Sequence, residues 1–231
     1  MSAVQATVCE LDLRALGLRA VNYALHQGRA GTAFEVLNPD GVHALAAGLT
    51  SELAVDVRGH AGYYCAGMNQ HATVRVRGNA GVGVGENMMS GRIEVHGSVG
   101  QSAAASAHGG MLVVGGDAAA RCGISLKGAN IVVRGSVGHS SAFMAQTGRL
   151  VVLGDAGAGL GDSIYEARLY VRGSVADRGA DCIEKPMRDE HVRELTELLT
   201  AAGITDAAAT EFRRFGSART LYHWQPSRGT I

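Results

Sequence analysis

Proline and aromatic residues are scarce in this chain, with 3 prolines and 5% aromatics in 231 residues against 33 glycines. An ordinary mixed core is filled by large rings, so this composition favours a repetitive all-β body. An excess of either charge is also missing, since 21 basic residues face 21 acidic ones. Zero net charge gives no bulk attraction to nucleic acid or to an anionic membrane surface. No stretch reaches 18 apolar residues, and Met1 to Leu18 holds no basic cluster followed by an apolar run. Neither a membrane span nor a signal peptide is expected. The four cysteines, Cys9, Cys65, Cys122 and Cys182, form no CxxC pair, so the local spacing of zinc or iron–sulfur ligation is absent.

What the sequence does contain, from about Ala54 to Pro186, is one phrase returning at a fixed spacing: apolar, any, apolar, any, Gly. The closing glycines are Gly59, Gly78, Gly97, Gly116, Gly135, Gly154 and Gly173, each nineteen positions after the last. The pairs before them run from Val55/Val57 through Ile93/Val95 and Ile131/Val133 to Leu169/Val171, an aliphatic period of two that reads as a strand with one buried face. After each glycine comes a small polar residue or histidine: His60, Asn79, Ser98, Asp117, Ser136, Asp155 and Ser174. Such side chains bond nearby backbone and help a chain leave a strand. Two further columns hold only Gly or Ala, completing a Gly-x-x-Gly-x-x-x-Gly unit in Gly78, Gly81, Gly85 and in Gly154, Gly157, Gly161.

A fixed period near 20 with one strand per unit marks a solenoid, in which each unit buries its apolar side by stacking on its neighbours. The expected fold is an all-β solenoid, a right-handed parallel β-helix of about seven 19-residue coils spaced about 4.8 Å apart. Small residues are required where the wall turns sharply or opposite walls approach. Cys65 and Cys122 share a column three coils apart, roughly 14 Å at that spacing and beyond disulfide reach. Free thiols in a reducing cytoplasm follow.

Three domains are read: 1–53 as an N-terminal strand and helix cap, 54–187 as the β-helix, and 188–231 as C-terminal helices with an aromatic tail. In the first, Ala6 to Leu13 alternates as a strand, Asp12 caps a helix through about Gln27, and Phe34 to Leu37 is a second short apolar run. In the last, a helix starts at Asp189 with Val192, Leu195, Leu198, Leu199 and Ala202 on one face. A second helix is expected from about Asp206, carrying Phe212 and Phe215 and ending at Gly216. Outward residues of the solenoid form a column of Asp56, Arg75, Glu94, Val113, Val132, Val151 and Tyr170. Its first three stack opposite charges, and its last four form an apolar surface covered either by the protein's own C-terminal segment or by another protein. Tyr222 and Trp224, in an aperiodic aromatic stretch, are a latch on the rod or a partner-binding arm.

Candidate chemistry is thin. Gly81-Val82-Gly83-Val84-Gly85 and Gly157-Ala158-Gly159-Leu160-Gly161 look like phosphate loops, but such a loop joins a strand to a helix and here the next element is a strand. His60, His71, His96, His108 and His139 occupy five different places in the repeat and make no metal ladder. Asp162 and Glu166 could pair as acid and base, though no partner acid or pocket is defined. Arg121 and Lys127 flank Cys122 and could activate it, yet its column elsewhere holds Val84, Ala103 and Leu160, which argues for packing.

The repeat resembles the C-terminal β-helix domain of the glutamate synthase large subunit, and also the β-helix subunit of formylmethanofuran dehydrogenase. The likeness covers about Leu13 to Pro186 and is most particular in Gly115 to Gly123, Ala142 to Gly154 and Gly161 to Ala167. With the Asp181-Cys182-Ile183 exit and Leu221-Tyr222-His223, the whole is most similar to the small β-helix subunits of N-methylglutamate synthases, also called methylamine–glutamate N-methyltransferases. That resemblance implies a hetero-oligomer with an amidotransferase-like subunit and an FMN and iron–sulfur subunit, the β-helix chain serving as a scaffold with no cofactor, metal or catalytic residue of its own. Ser2, not cysteine, follows Met1 where an amidotransferase of that class carries its nucleophile, and an FMN barrel of roughly 250 residues would find no room. An ordinary glutamate synthase subunit, or a self-sufficient sugar-processing or acyltransferase β-helix, remains the alternative.

Overall fold

The computed structural model describes residues 8–219. One 11-stranded sheet runs the length of the molecule. It opens with β1 (Val8–Asp12), which leads through α1 (Leu13–His26) to β2 (Ala33–Leu37). The repeated coils follow as β3 (Ala54–Val57), β4 (Thr73–Val76), β5 (Arg92–Val95), β6 (Met111–Val114), β7 (Lys127–Val133), β8 (Thr147–Val152) and β9 (Arg168–Val171). Each strand from β1 to β8 pairs in parallel with the one that follows it, and from β3 to β9 equivalent residues are matched, as in Val55 to Val74 and Leu150 to Leu169. A second wall repeats the register in single bridges, Ala61 to Ala80 to Val99 and on to Val175. The protein is a parallel β-solenoid of about seven turns.

The inward aliphatics fill its interior: Val55, Val74, Ile93, Leu112, Ile131, Leu150 and Leu169 are all within 1% of complete burial. At one end α1 closes this core with Val21 and Leu25, its N-terminus capped by Asp12 accepting from the Arg14 N–H. The helix is broken by a left-handed Gly17 in its second turn. The sheet does not begin at Ala54, because β1 and β2 already lie in it: Val8 pairs with Ala33 and Ala33 with Ala54, at longer intervals than in the repeat.

At the other end the backbone runs through β10 (Cys182–Lys185) and α2 (Asp189–Ala201), then a single 3-10 turn at Ala209–Glu211, and returns as β11 (Arg213–Ser217). The expected second helix is absent there. β11 inserts antiparallel between β9 and β10 and places Phe215 under the last coil. Phe212 and Phe215 are an odd number of residues apart, so in extended chain they face opposite ways. Phe215 enters the interior core, and Phe212 joins a second core between the sheet and α2. No described helix is long and apolar enough to cross a membrane.

Candidate functional site

The polar column after each strand holds coils together. His60 Nδ1 accepts from Asn79 N–H, Asn79 Oδ1 from Ser98 N–H, and Ser98 Oγ from Asp117 N–H. Asp117, Ser136 and Asp155 continue the series to Ser174 at 2.7 to 3.0 Å. The partner is the neighbouring coil, one full repeat on, rather than the local backbone. This ladder explains the glycines before it: a Cβ on Gly97, Gly116, Gly135, Gly154 or Gly173 would fall 2.1 to 2.6 Å from the acceptor atom below. On Gly78 it would meet His60 Nδ1 at 2.7 Å, while Gly59 starts the column against Pro39.

The other two small-residue columns have different causes. A Cβ on Gly81 or Gly157 would meet the backbone of the coil below at 2.7 to 2.8 Å. At Ala66, Gly85, Ala104, Gly123, Ala142 and Gly161 the backbone is left-handed, and a Cβ on Gly85, Gly123 or Gly161 would meet the inward Ile93, Ile131 or Leu169 side chain of the strand wall. Most of the phosphate-loop glycine amides are already committed. Gly81, Gly83 and Gly85 N–H donate to Ala61, Gln101 and Cys65 carbonyls, and Gly157 and Gly161 N–H to Val137 and Ser141.

Cys65 and Cys122 are fully buried, and burial pushes both thiols up to about 12, so Cys122 packs despite its basic neighbours. Cys182 is held at about 11 for the same reason. No group of three His, Cys, Asp or Glu that could hold a metal ion occurs among the described residues. Asp162 Oδ1 accepts from Ser163 Oγ–H, and Glu166 sits just before β9.

The outward column divides into a charged and an apolar part, but of the three stacked charges only Arg75 and Glu94 pair with each other. Glu94 bonds Arg75 and Arg92, and Asp56 is paired with Arg77 and Arg58. Farther along, the apolar residues are occupied within the molecule: Val132, Val151 and Tyr170 are fully buried beneath α2, with Val113 half-buried at the rim. They are not an open partner surface. Tyr222 and Trp224 lie outside the described residues.

One constellation escaped the sequence reading. Glu194 on α2 accepts from Arg149, from Arg168 at 2.8 Å and from the Tyr170 hydroxyl at 2.6 Å. Burial alone would raise its carboxyl, but the bonds from Tyr170, Arg168 and Arg149 outweigh it and hold the pKa below the ordinary value. Arg149 and Arg168 occupy the same column on adjacent coils, which was visible; their acceptor, on a separate helix, was not.

Among the exposed large apolar side chains, Tyr63, Met68, Val82 and Met89 lie in the turns of the first two repeated coils, each nearly half exposed. Tyr63 lies against Tyr64 with ring centroids 5.6 Å apart and meets His43 edge-on.

Glycine columns that make room for an inter-coil ladder, closed by a helix on the outer face, define a glycine-rich parallel β-solenoid. The chain belongs to the GXGXG motif family, whose profile matches residues 41–228 and which includes the C-terminal domain of the glutamate synthase large subunit. Protein GlxC of Rhizobium meliloti (strain 1021) is 55% identical over 217 residues, a match that spans 93% of this protein and 95% of GlxC. The molecule is thus a glutamate-synthase-like β-solenoid, and GlxC is made almost wholly of the region it shares with it.

Proposed function

We propose that this protein is the noncatalytic scaffold subunit of an N-methylglutamate synthase, a complex that converts methylamine and glutamate to N-methylglutamate and ammonia. In that role it joins an amidotransferase-like subunit to another that holds FMN and an iron–sulfur cluster. The observation that carries the reading is the use made of the repeat: its glycines, polar column and interior cysteines are all committed to inter-coil bonds or to packing. A rod built in this way holds other proteins at fixed distance and orientation. The exposed Tyr63, Met68, Val82 and Met89 offer an apolar surface for such a contact.

Purification of the tagged protein from its source cell at native expression tests this. A yellow flavoprotein and an amidotransferase-like polypeptide should co-elute with it, and the assembly should form N-methylglutamate from methylamine. A protein eluting alone would overturn the scaffold role. An assembly that uses ammonia and ignores methylamine would overturn the choice of amine and leave an ordinary glutamate synthase.

A further inference from the structure

At the starts of β8 and β9, bounded by β10 and β11, lies a cavity of about 370 Å³, within the size range of clefts that hold small ligands. Arg149, Arg168, Lys185 and Arg214 line it, with Glu166 as the carboxylate among them. Thr147 and Ser217 add hydroxyls to the wall. Arg149 and Arg168 converge on Glu194, which offsets one of their two charges. Lys185 and Arg214 have no described carboxylate within ion-pair distance; the Arg214 Nε–H donates to the Pro186 carbonyl at 3.1 Å. Four cations therefore face two carboxylates, and two positive charges remain over. The contrast lies on the same sheet face, where Arg58, Arg75, Arg77 and Arg92 each have a carboxylate partner.

We infer that this cavity binds a small doubly charged oxyanion, through Lys185 and Arg214 with the free edges of Arg149 and Arg168. The shared chemistry is two negative charges on carboxylate or phosphate oxygens, which planar guanidinium groups bind through paired N–H donors and which an ammonium meets as a point charge. Burial, with Arg168 and Arg188 close by, already holds Arg214 below the usual guanidinium range, and an anion would relieve that cost. The site does not depend on the proposed complex and holds for the full-length protein alone.

Calorimetric titration of the full-length protein at low ionic strength, with inorganic phosphate in one arm and glutarate in the other, tests the inference. Saturable one-to-one binding is expected, weakening as salt is added. Lys185→Gln and Arg214→Gln should each weaken it by about tenfold or more, and Arg134→Gln, whose ion pair with Asp206 lies elsewhere, should leave it unchanged. Phosphate binding more tightly assigns a phosphorylated ligand; glutarate binding more tightly assigns a dicarboxylate. Thermal unfolding without anion identifies a variant that fails to fold, and Lys185→Gln, which removes no bond to Glu194, then decides alone. No saturable binding of either anion up to about 10 mM, or variants that bind as tightly as the parent, would overturn the site.

Discussion

A methyl group at position 85 meets two obstacles of different size. The backbone there is left-handed at φ +65°, and a Cβ would stand 2.9 Å from the Cδ1 of Ile93 on the facing strand. The first obstacle is mild in this fold, because Ala66, Ala104 and Ala142 hold the same place at φ values of 52°, 51° and 57°. The contact with Ile93 therefore dominates. Gly85→Ala should cost about 1 to 3 kcal/mol in denaturant unfolding. Ile93→Val alone should cost about 0.5 to 1.5 kcal/mol. Because valine lacks Cδ1, the double variant should lose clearly less than the sum, and strict additivity would show that the backbone sets the cost. The columns of small residues were plain in the sequence, but their three separate causes were not. A repeat gives every residue an equivalent on the next coil, so nothing in it tells a side chain bonding its own turn from one bonding its neighbour.

At the scale of elements, α2 decides how the outer face is used. Its apolar stripe of Leu195, Leu198 and Leu199 was legible from spacing, and so was the apolar run of Val132, Val151 and Tyr170 that it covers. The strand β11 was not, since two phenylalanines three apart imitate a helical face and only the fold shows them entering two different cores. Glu194 adds a polar tie between α2 and the sheet. Its folded pKa is depressed, so its contribution is complete above the ordinary carboxyl value of 4.5 and is lost as pH falls through the folded value. Glu194→Gln should destabilise by about 1 to 2 kcal/mol near neutrality, a figure kept low because Arg168 is part-exposed. The gap between parent and variant should stay constant above about pH 5 and close below it, read as melting temperature against pH. A gap unchanged down to pH 3 would mean that the carboxylate charge contributes nothing.

Over the whole molecule the sheet is more regular than the sequence. The fixed period is lost before Ala54, yet β1 and β2 still take their places, with Cys9 beside Phe34 and Phe34 beside Val55. The extra length is absorbed in α1 and in the loop after Leu37. Strand register thus tolerates variable connections so long as the strand itself arrives in phase, and a solenoid of this kind is close to one-dimensional. Removing one complete coil should then leave a shorter version of the same protein. Ser98–Gly116 is the coil to remove, because none of the ion pairs of the outer face falls within it. Its deletion joins Gly97 to Asp117, sets Asn79 Oδ1 beneath the Asp117 N–H, and brings Ile93 beside Ile131. The ladder, the interior stack and the left-handed turns at Gly85 and Gly123 all meet their equivalents again. Buried Leu112 and Val114 are lost with the coil, so stability falls, but unfolding should stay cooperative and small-angle scattering should show a rod about 5 Å shorter. Deleting only Ser98–Ala107 removes fewer side chains yet puts β6 out of phase with β5, and should abolish the cooperative transition. If the whole-coil deletion unfolds as completely as the half-coil one, the coils are not interchangeable units, and the stability of the rod comes from its two closed ends rather than from coil-on-coil stacking.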